Sequence, residues 1–190
     1  MHRIRLATVD DIAVIARHRV RMFEDMGTLP PDQVPIMTER TVRYLARAIP
    51  AGEYVAWLAV EQDQPGIVAG GAGLQRRTVL PFPTADAGVP GVGEGREAIV
   101  INVYTEPEFR RLGLARQLMK ALIQWSREAG IERIALHASP YGQALYESLG
   151  FVVTNEMRLM LGSDRSDRSD RSDGSDRSDG SDGSGKGMRL

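Results

Sequence analysis

Arg110-Arg111-Leu112-Gly113-Leu114-Ala115 decides the reading of this chain because of what flanks it. Before it, Ala98 to Tyr104 reads as a strand; after it, Leu114 to Ala129 carries Leu114, Leu118, Ala121, Leu122 and Trp125 on one helical stripe. A turn of small residues at the mouth of a helix leaves several N–H groups without intrahelical partners. Together with the positive end of the helix dipole they form a receptor for phosphate oxygens. Larger side chains at Gly113 and Ala115 would hold a diphosphate away from the backbone. Arg110 and Arg111 add donors suited to phosphate at the same spot.

Outward from the turn, the strand beginning at Glu97, the helix and a further strand at Ile131 to His137 make one parallel, right-handed crossover. Upstream, Arg3 to Ala7 alternates as a strand. Thr8 and Asp11 then form a capping box that opens a helix through Ile12, Ile15, Ala16 and Phe23, stopped by Gly27. A break containing prolines, Leu29 to Pro35, precedes a second helix from about Met37 to Ile49. Tyr54 to Val60 and Ile67 to Leu74 are strands joined by a turn. Leu80 to Gly95 is rich in Pro and Gly, is too long for a hairpin and lacks periodicity, and so reads as a mobile loop at a binding site. Gly71-x-Gly73 lacks the third glycine of a dinucleotide fingerprint and reads as a bulge or strand twist. Tyr141 to Leu149 is a short helix, and Phe151 to Leu161 a last strand or strand pair. The order β-α-α-β-β-β-α-β-α-β predicts an α/β (α+β) fold: a mixed, mostly antiparallel central sheet flanked by helices.

Composition bounds what such a fold does. The chain has 190 residues and a formal net charge of −1, without the basic excess of a general nucleic-acid binder. It has no cysteine, which excludes disulfides, thiolate nucleophiles and cysteine-ligated metals. Three scattered histidines give no metal-ligand spacing, so no metal is expected. No run approaches the ~18 apolar residues of a membrane span, and the N-terminus lacks the apolar segment of a signal peptide; a cytoplasmic protein with no membrane partner is the expectation. From Ser163 the sequence repeats Ser-Asp-Arg and Ser-Asp-Gly almost without apolar residues. That composition cannot offset chain entropy, so 163–190 reads as a disordered tail and 1–162 as one domain.

Downstream of the phosphate turn stands Leu145-Tyr146-Glu147-Ser148-Leu149-Gly150-Phe151. The two motifs, in this order and on these elements, resemble those of the GNAT superfamily of acyl-CoA-dependent N-acetyltransferases. The family's turn reads R/Q-x-x-G-x-G/A, matched by Arg110, Gly113 and Ala115; its later element reads L-Y-x-x-x-G-F. The resemblance spans Arg3 to Leu161 and is most specific over Glu97 to Phe151. It implies acetyl-CoA as co-substrate, with the diphosphate on the N–H groups of Arg111, Leu112, Gly113, Leu114, Ala115 and Arg116. The pantetheine arm would follow Asn102, Val103 and Tyr104 in a gap between two splayed parallel strands, 99–104 and 134–137. Where many relatives carry an asparagine that contacts this arm, the chain has Ser139. Family members commonly dimerise, which makes a homodimer an expectation.

The implied reaction moves an acetyl group to a primary amine of a small molecule or protein by direct attack in a ternary complex. An alkylamine with a pKa near 10.4 is protonated at pH 7, so its reactive form costs roughly 4.6 kcal/mol. A base or a water chain must take that proton, and an acid must meet the departing thiolate. The resemblance places Tyr146 as the acid and Glu97, at the start of the strand, as the base; Glu24, Asp25 and His137 are further acid–base candidates. Alternation puts Glu97, Ile99, Ile101 and Val103 on one face of that strand and Asn102 and Tyr104 on the other. The competing expectation is a non-catalytic acyl-CoA-binding regulatory module, motivated by Ser139 and by the open choice of base.

Overall fold

The computed structural model describes residues 1–64, 66–86 and 89–159. The predicted tail, 163–190, lies outside them. A five-stranded sheet runs in the order β1-β2-β3-β6-β7, from β1 (His2–Leu6), β2 (Tyr54–Glu61), β3 (Val68–Thr78), β6 (Arg96–Thr105) and β7 (Arg133–Leu136). Neighbours are antiparallel except β6 and β7, which are parallel. The single parallel pair follows from the single helix between adjacent strands, α3 (Leu114–Glu128), whose crossover turns the chain back in the same direction. No helix among the described residues is long and apolar enough to cross a membrane.

Two apolar layers sit on the two sheet faces. Alternation along β2 sends Tyr54, Ala56, Leu58 and Val60 toward one side, where they pack with Ile15 of α1 (Ile12–Asp25) and Leu45 and Ala48 of α2 (Val34–Ala48). Trp57 and Ala59 point the other way, into a cluster with Leu114, Leu118, Met119 and Leu122 of α3. Those four helix residues share one stripe at helical spacing and are all nearly inaccessible. Burying each such large side chain contributes about 1.5–3 kcal/mol, so this stripe fixes how α3 lies on the sheet. Trp57 and Trp125 meet edge to face, 5.7 Å between centroids, on the same side.

The helix starts are as the capping chemistry predicts, with one shift. Thr8 and Asp11 form the capping box, and Asp11 also takes both guanidinium nitrogens of Arg5 at 2.7 Å. The Arg5 pair holds the Asp11 carboxyl below the usual range. Helix α2 begins at Val34, earlier than the predicted Met37, with Pro35 in its first turn. Proline breaks a helix interior, but a first turn needs no N–H from it.

Two segments differ from the sequence expectation. The segment read as a mobile loop contains a hairpin, β4 (Phe82–Asp86) with β5 (Val89–Gly93), in register from Phe82 opposite Gly93 to Asp86 opposite Val89. Pro83 and Pro90 are tolerated because this two-stranded sheet is all edge. The predicted last strand is not formed over 151–159, which carries neither helix nor strand. Met1–Val152 forms one compact unit of the chain.

Candidate active site

Strand β6 supplies one wall of the site because its pattern breaks in the middle. Opposite β3, Gly73 pairs Ile101 and Gly71 pairs Tyr104, so β6 holds one residue more than β3 over this span. Asn102 takes up the surplus with φ +59, a left-handed conformation that asparagine adopts more readily than most side chains. The bulge also resets the faces. Ile101 packs toward α1 and α2, Asn102 reaches Tyr54 on the same side, and Val103 packs into the α3 layer. Strict alternation, which put Ile101 and Val103 on one face, is thereby corrected.

On its other edge β6 pairs β7 for four residues only, ending at Val100 opposite Leu136. Strand β6 runs on to Thr105 while β7 stops, so residues 101–104 present an open edge on that side. Such an edge is the geometry that accepts an extended, amide-bearing chain as an added strand. Asn102, Val103 and Tyr104 all lie on this free stretch.

The phosphate turn follows directly. Gly113 caps α3 with φ +76, and Arg111 also has positive φ, +66. No carbonyl among the described residues accepts from the N–H groups of 111–116. No side chain caps the helix, and its first turn has no acid. A Cβ built on Gly113 meets no atom within 4 Å. The space above it is therefore open, and the donors around it point nowhere else. Unengaged donors and open space at a helix mouth fit diphosphate oxygens, which Arg111, Leu112, Gly113, Leu114, Ala115 and Arg116 would hold. Arg110 is anchored within the protein. Its Nε donates to the Thr105 carbonyl at 3.0 Å, its Nη2 pairs with Asp25, and its guanidinium lies over the Tyr104 ring. It ties the turn to β6 and α1, and it engages the Asp25 named above as a candidate base.

Tyr146 lies on α4 (Gln143–Glu147), half-buried against the α3 layer and edge to face with Phe151 at 6.0 Å. Burial raises its pKa, which keeps the phenol protonated. Its hydroxyl has no hydrogen bond to any described residue. Arg116, in the first turn of α3, donates to Ser148 Oγ at 2.8 Å and so holds the tyrosine helix beside the phosphate turn. Ser139 begins the turn into α4, its carbonyl accepting from Gly142 at 2.9 Å and Gln143 at 3.1 Å.

Glu97 is not brought to this assembly. It sits at the start of β6, 5 % exposed, with Arg77 of β3 on one oxygen at 2.5 Å and Arg133 of β7 on the other. The five steps along the strand from it to Asn102 span roughly 16 Å. To act as a base it would have to release a guanidinium and reach along the sheet. The sequence could not show this, because the two arginines are 20 and 36 residues away. Glu97→Gln is expected to lower stability by about 1–3 kcal/mol, the arginines being partly solvated, and to leave the shape of the pH–rate profile unchanged. Thermal unfolding and initial rates from pH 6 to 10 check this; loss of the basic limb would return the base role to Glu97.

Two groups of residues escaped the sequence reading. Glu106, 4 % exposed at the end of β6, accepts from Arg21 at 2.6 Å and Arg17 at 3.4 Å. His18 Nε2 lies 3.3 Å from the same carboxylate without hydrogen-bond alignment, and burial lowers its pKa to about 4. Beside them Arg19 donates to Asn102 Oδ1 at 2.8 Å, and Asn102 Nδ2 donates to the buried Tyr54 hydroxyl at 3.3 Å. The run Arg17-His18-Arg19-Val20-Arg21 was the available signal, since three arginines on one helix need either solvent or counter-charges.

Known proteins share this fold. The model of the acetyltransferase (GNAT) family matches residues 20–151. Among solved structures, a GCN5-related N-acetyltransferase from Ralstonia eutropha superposes with a TM-score of 0.73 at 26 % identity, over 85 % of this chain and 99 % of that one. A structure described as a "predicted acetyltransferase with acetyl-CoA" from Clostridium acetobutylicum gives 0.66 at 28 % identity, over 84 % and 96 %. An uncharacterized N-acetyltransferase, ycf52, of Pyropia yezoensis is 38 % identical over 58 residues, 30 % of this chain and 33 % of that protein. The family model covers the bulged strand, the phosphate turn and the tyrosine helix together, and on that match the chain belongs to the GNAT acetyltransferase family.

Proposed function

We propose that this protein is an N-acetyltransferase that moves an acetyl group from acetyl-CoA to a primary amine by direct attack in a ternary complex. The observation that carries the reading is the phosphate turn: unengaged N–H groups at 111–116, with open space over Gly113, next to the free edge of β6. Acetyl-CoA supplies an activated thioester. The backbone N–H groups of 111–116 hold its diphosphate, and the free edge of β6 at 102–104 aligns the pantetheine arm.

Tyr146 then acts at the sulfur. Its hydroxyl is raised in pKa and has no competing partner, so it is a donor to the thiolate as that group leaves. The amine's proton departs through water in this reading, since both Glu97 oxygens are held by guanidiniums. Tyr146→Phe is expected to lower turnover by about 10²–10⁴ with the affinity for acetyl-CoA unchanged. Turnover within a factor of about 3 of the parent would mean that the phenol is not the acid.

The test of the whole reading is incubation with acetyl-CoA and a panel of primary amines while free thiol is followed. Thiol release that depends on the amine is the expected result. Binding of acetyl-CoA with no amine-dependent release would instead indicate a module that holds the cofactor without catalysis.

A further inference from the structure

Three arginines leave α1 toward the site, and two are neutralised. Arg17 and Arg21, one helical turn apart, both reach the Glu106 carboxylate. Arg19 has no carboxylate within 4.0 Å among the described residues. It donates to a neutral amide, Asn102 Oδ1 at 2.8 Å, and lies over the Phe23 ring at 5.0 Å. Burial lowers its pKa, and the nearest other groups it senses are the Tyr54 and Tyr44 phenols. A guanidinium remains charged at any pH a protein meets. Holding it in a half-buried place without an anion is costly, and a built protein normally avoids it.

Its position gives that cost a use. Asn102 is the bulge residue on the stretch of β6 that β7 leaves open, where the acyl-bearing arm is proposed to lie. The Arg19 guanidinium is one hydrogen bond from it, on the α1 side of the sheet. We infer that Arg19 is an acceptor-binding residue, and that the amine acceptor carries an anionic oxygen group, carboxylate or phosphate, which pairs with its guanidinium while the amine faces the acetyl group. This rests on the acetyltransferase reading for the identity of the acceptor's reacting group, but not for the anion.

The fork of donors on Arg19 suits a planar or tetrahedral oxyanion, and such pairs are among the stronger polar contacts. The experiment uses the full chain with CoA bound and compares three sets of amines matched in carbon skeleton: with a carboxylate, with a phosphate, and with neither. Calorimetry reads affinity and the thiol assay reads kcat/KM. Anionic amines are expected to bind about 10-fold or more tightly than their neutral counterparts, and the better of the two anionic sets identifies the group. In Arg19→Gln that ratio falls to near one; in Arg19→Lys, which keeps the charge but not the fork, part of it returns. Circular dichroism of both variants separates misfolding from lost recognition. A ratio near one in the parent, or one that Arg19→Gln leaves unchanged, overturns the inference, whatever the turnover. Discrimination in binding without thiol release for any amine would uphold Arg19 and sink the acetyl-transfer reading instead.

Discussion

Gly113→Glu is expected to abolish useful acetyl-CoA binding while the protein stays folded. The two effects separate because they have different causes. The fold pays only for conformation: residue 113 has φ +76, where a side chain costs about 1–2 kcal/mol, and its Cβ meets no atom within 4 Å. The cofactor meets the side chain itself, which fills the space above the helix mouth and sets a carboxylate against a diphosphate. Hydrogen bonds to a charged group are worth about 1.5–3 kcal/mol each. Losing two of them weakens binding by about 10²–10⁴, and repulsion adds to that. Calorimetry with acetyl-CoA and a thermal melt measure the two sides. Gly113→Asn, which tolerates left-handed backbone and adds no charge, should fall between the parent and the glutamate variant in affinity. Unchanged affinity in Gly113→Glu would place the diphosphate elsewhere.

The largest loss of stability is expected at a glycine that no motif marks. A Cβ on Gly73 would lie 2.0 Å from the Tyr54 hydroxyl oxygen and 2.5 Å from its Cζ. Tyr54 is 2 % exposed and packed within its layer. Gly73→Ala should therefore cost about 3 kcal/mol, the scale of overpacking in a well-packed core. It should also lower kcat/KM, since moving the phenol releases Asn102 Nδ2, which otherwise donates to it. Tyr54→Phe alone loses one neutral hydrogen bond, about 1 kcal/mol. In the double variant the most severe contact is gone, so its loss should be smaller than the sum of the two single losses, by about 1 kcal/mol. Chemical denaturation of the four proteins completes the cycle; strictly additive costs would show that the close approach is relieved by some other movement.

The Gly73 result also shows how far the site was legible beforehand. Gly71-x-Gly73 read as a bulge or twist, and an irregularity is there. The surplus residue, however, lies on the partner strand at Asn102. Asn102 is the one amide in the apolar run Ala98 to Tyr104, but an amide within a strand does not by itself mark a bulge. Its left-handed backbone is set by the register of β3 and by the partners of its amide, Arg19 and Tyr54, which lie 83 and 48 positions away. For the same reason Glu97 read as a base from its place at the head of a strand. Its two arginine partners are adjacent only once β3, β6 and β7 are side by side. The Leu80 to Gly95 segment failed as a loop for a different reason: its prolines argued against strands, but a hairpin whose strands are both edges can hold them.

What the sequence determined by itself is what depends on neighbours within a few residues. The turn before α3, its left-handed glycine, the amphipathic stripe of α3 and the capping box at Thr8 are all of this kind, because backbone preference and helical spacing act over one to four residues. The order of helices and strands then left one parallel pair in a mostly antiparallel sheet. Only the tertiary structure decided which charges meet. It gave Glu106 to Arg17 and Arg21, locked Glu97 between two strands, tied Arg110 to Asp25, and left Arg19 beside the bulge without a carboxylate partner among the described residues. Coulombic partners are chosen by distance in space and by burial, and neither is written in local pattern.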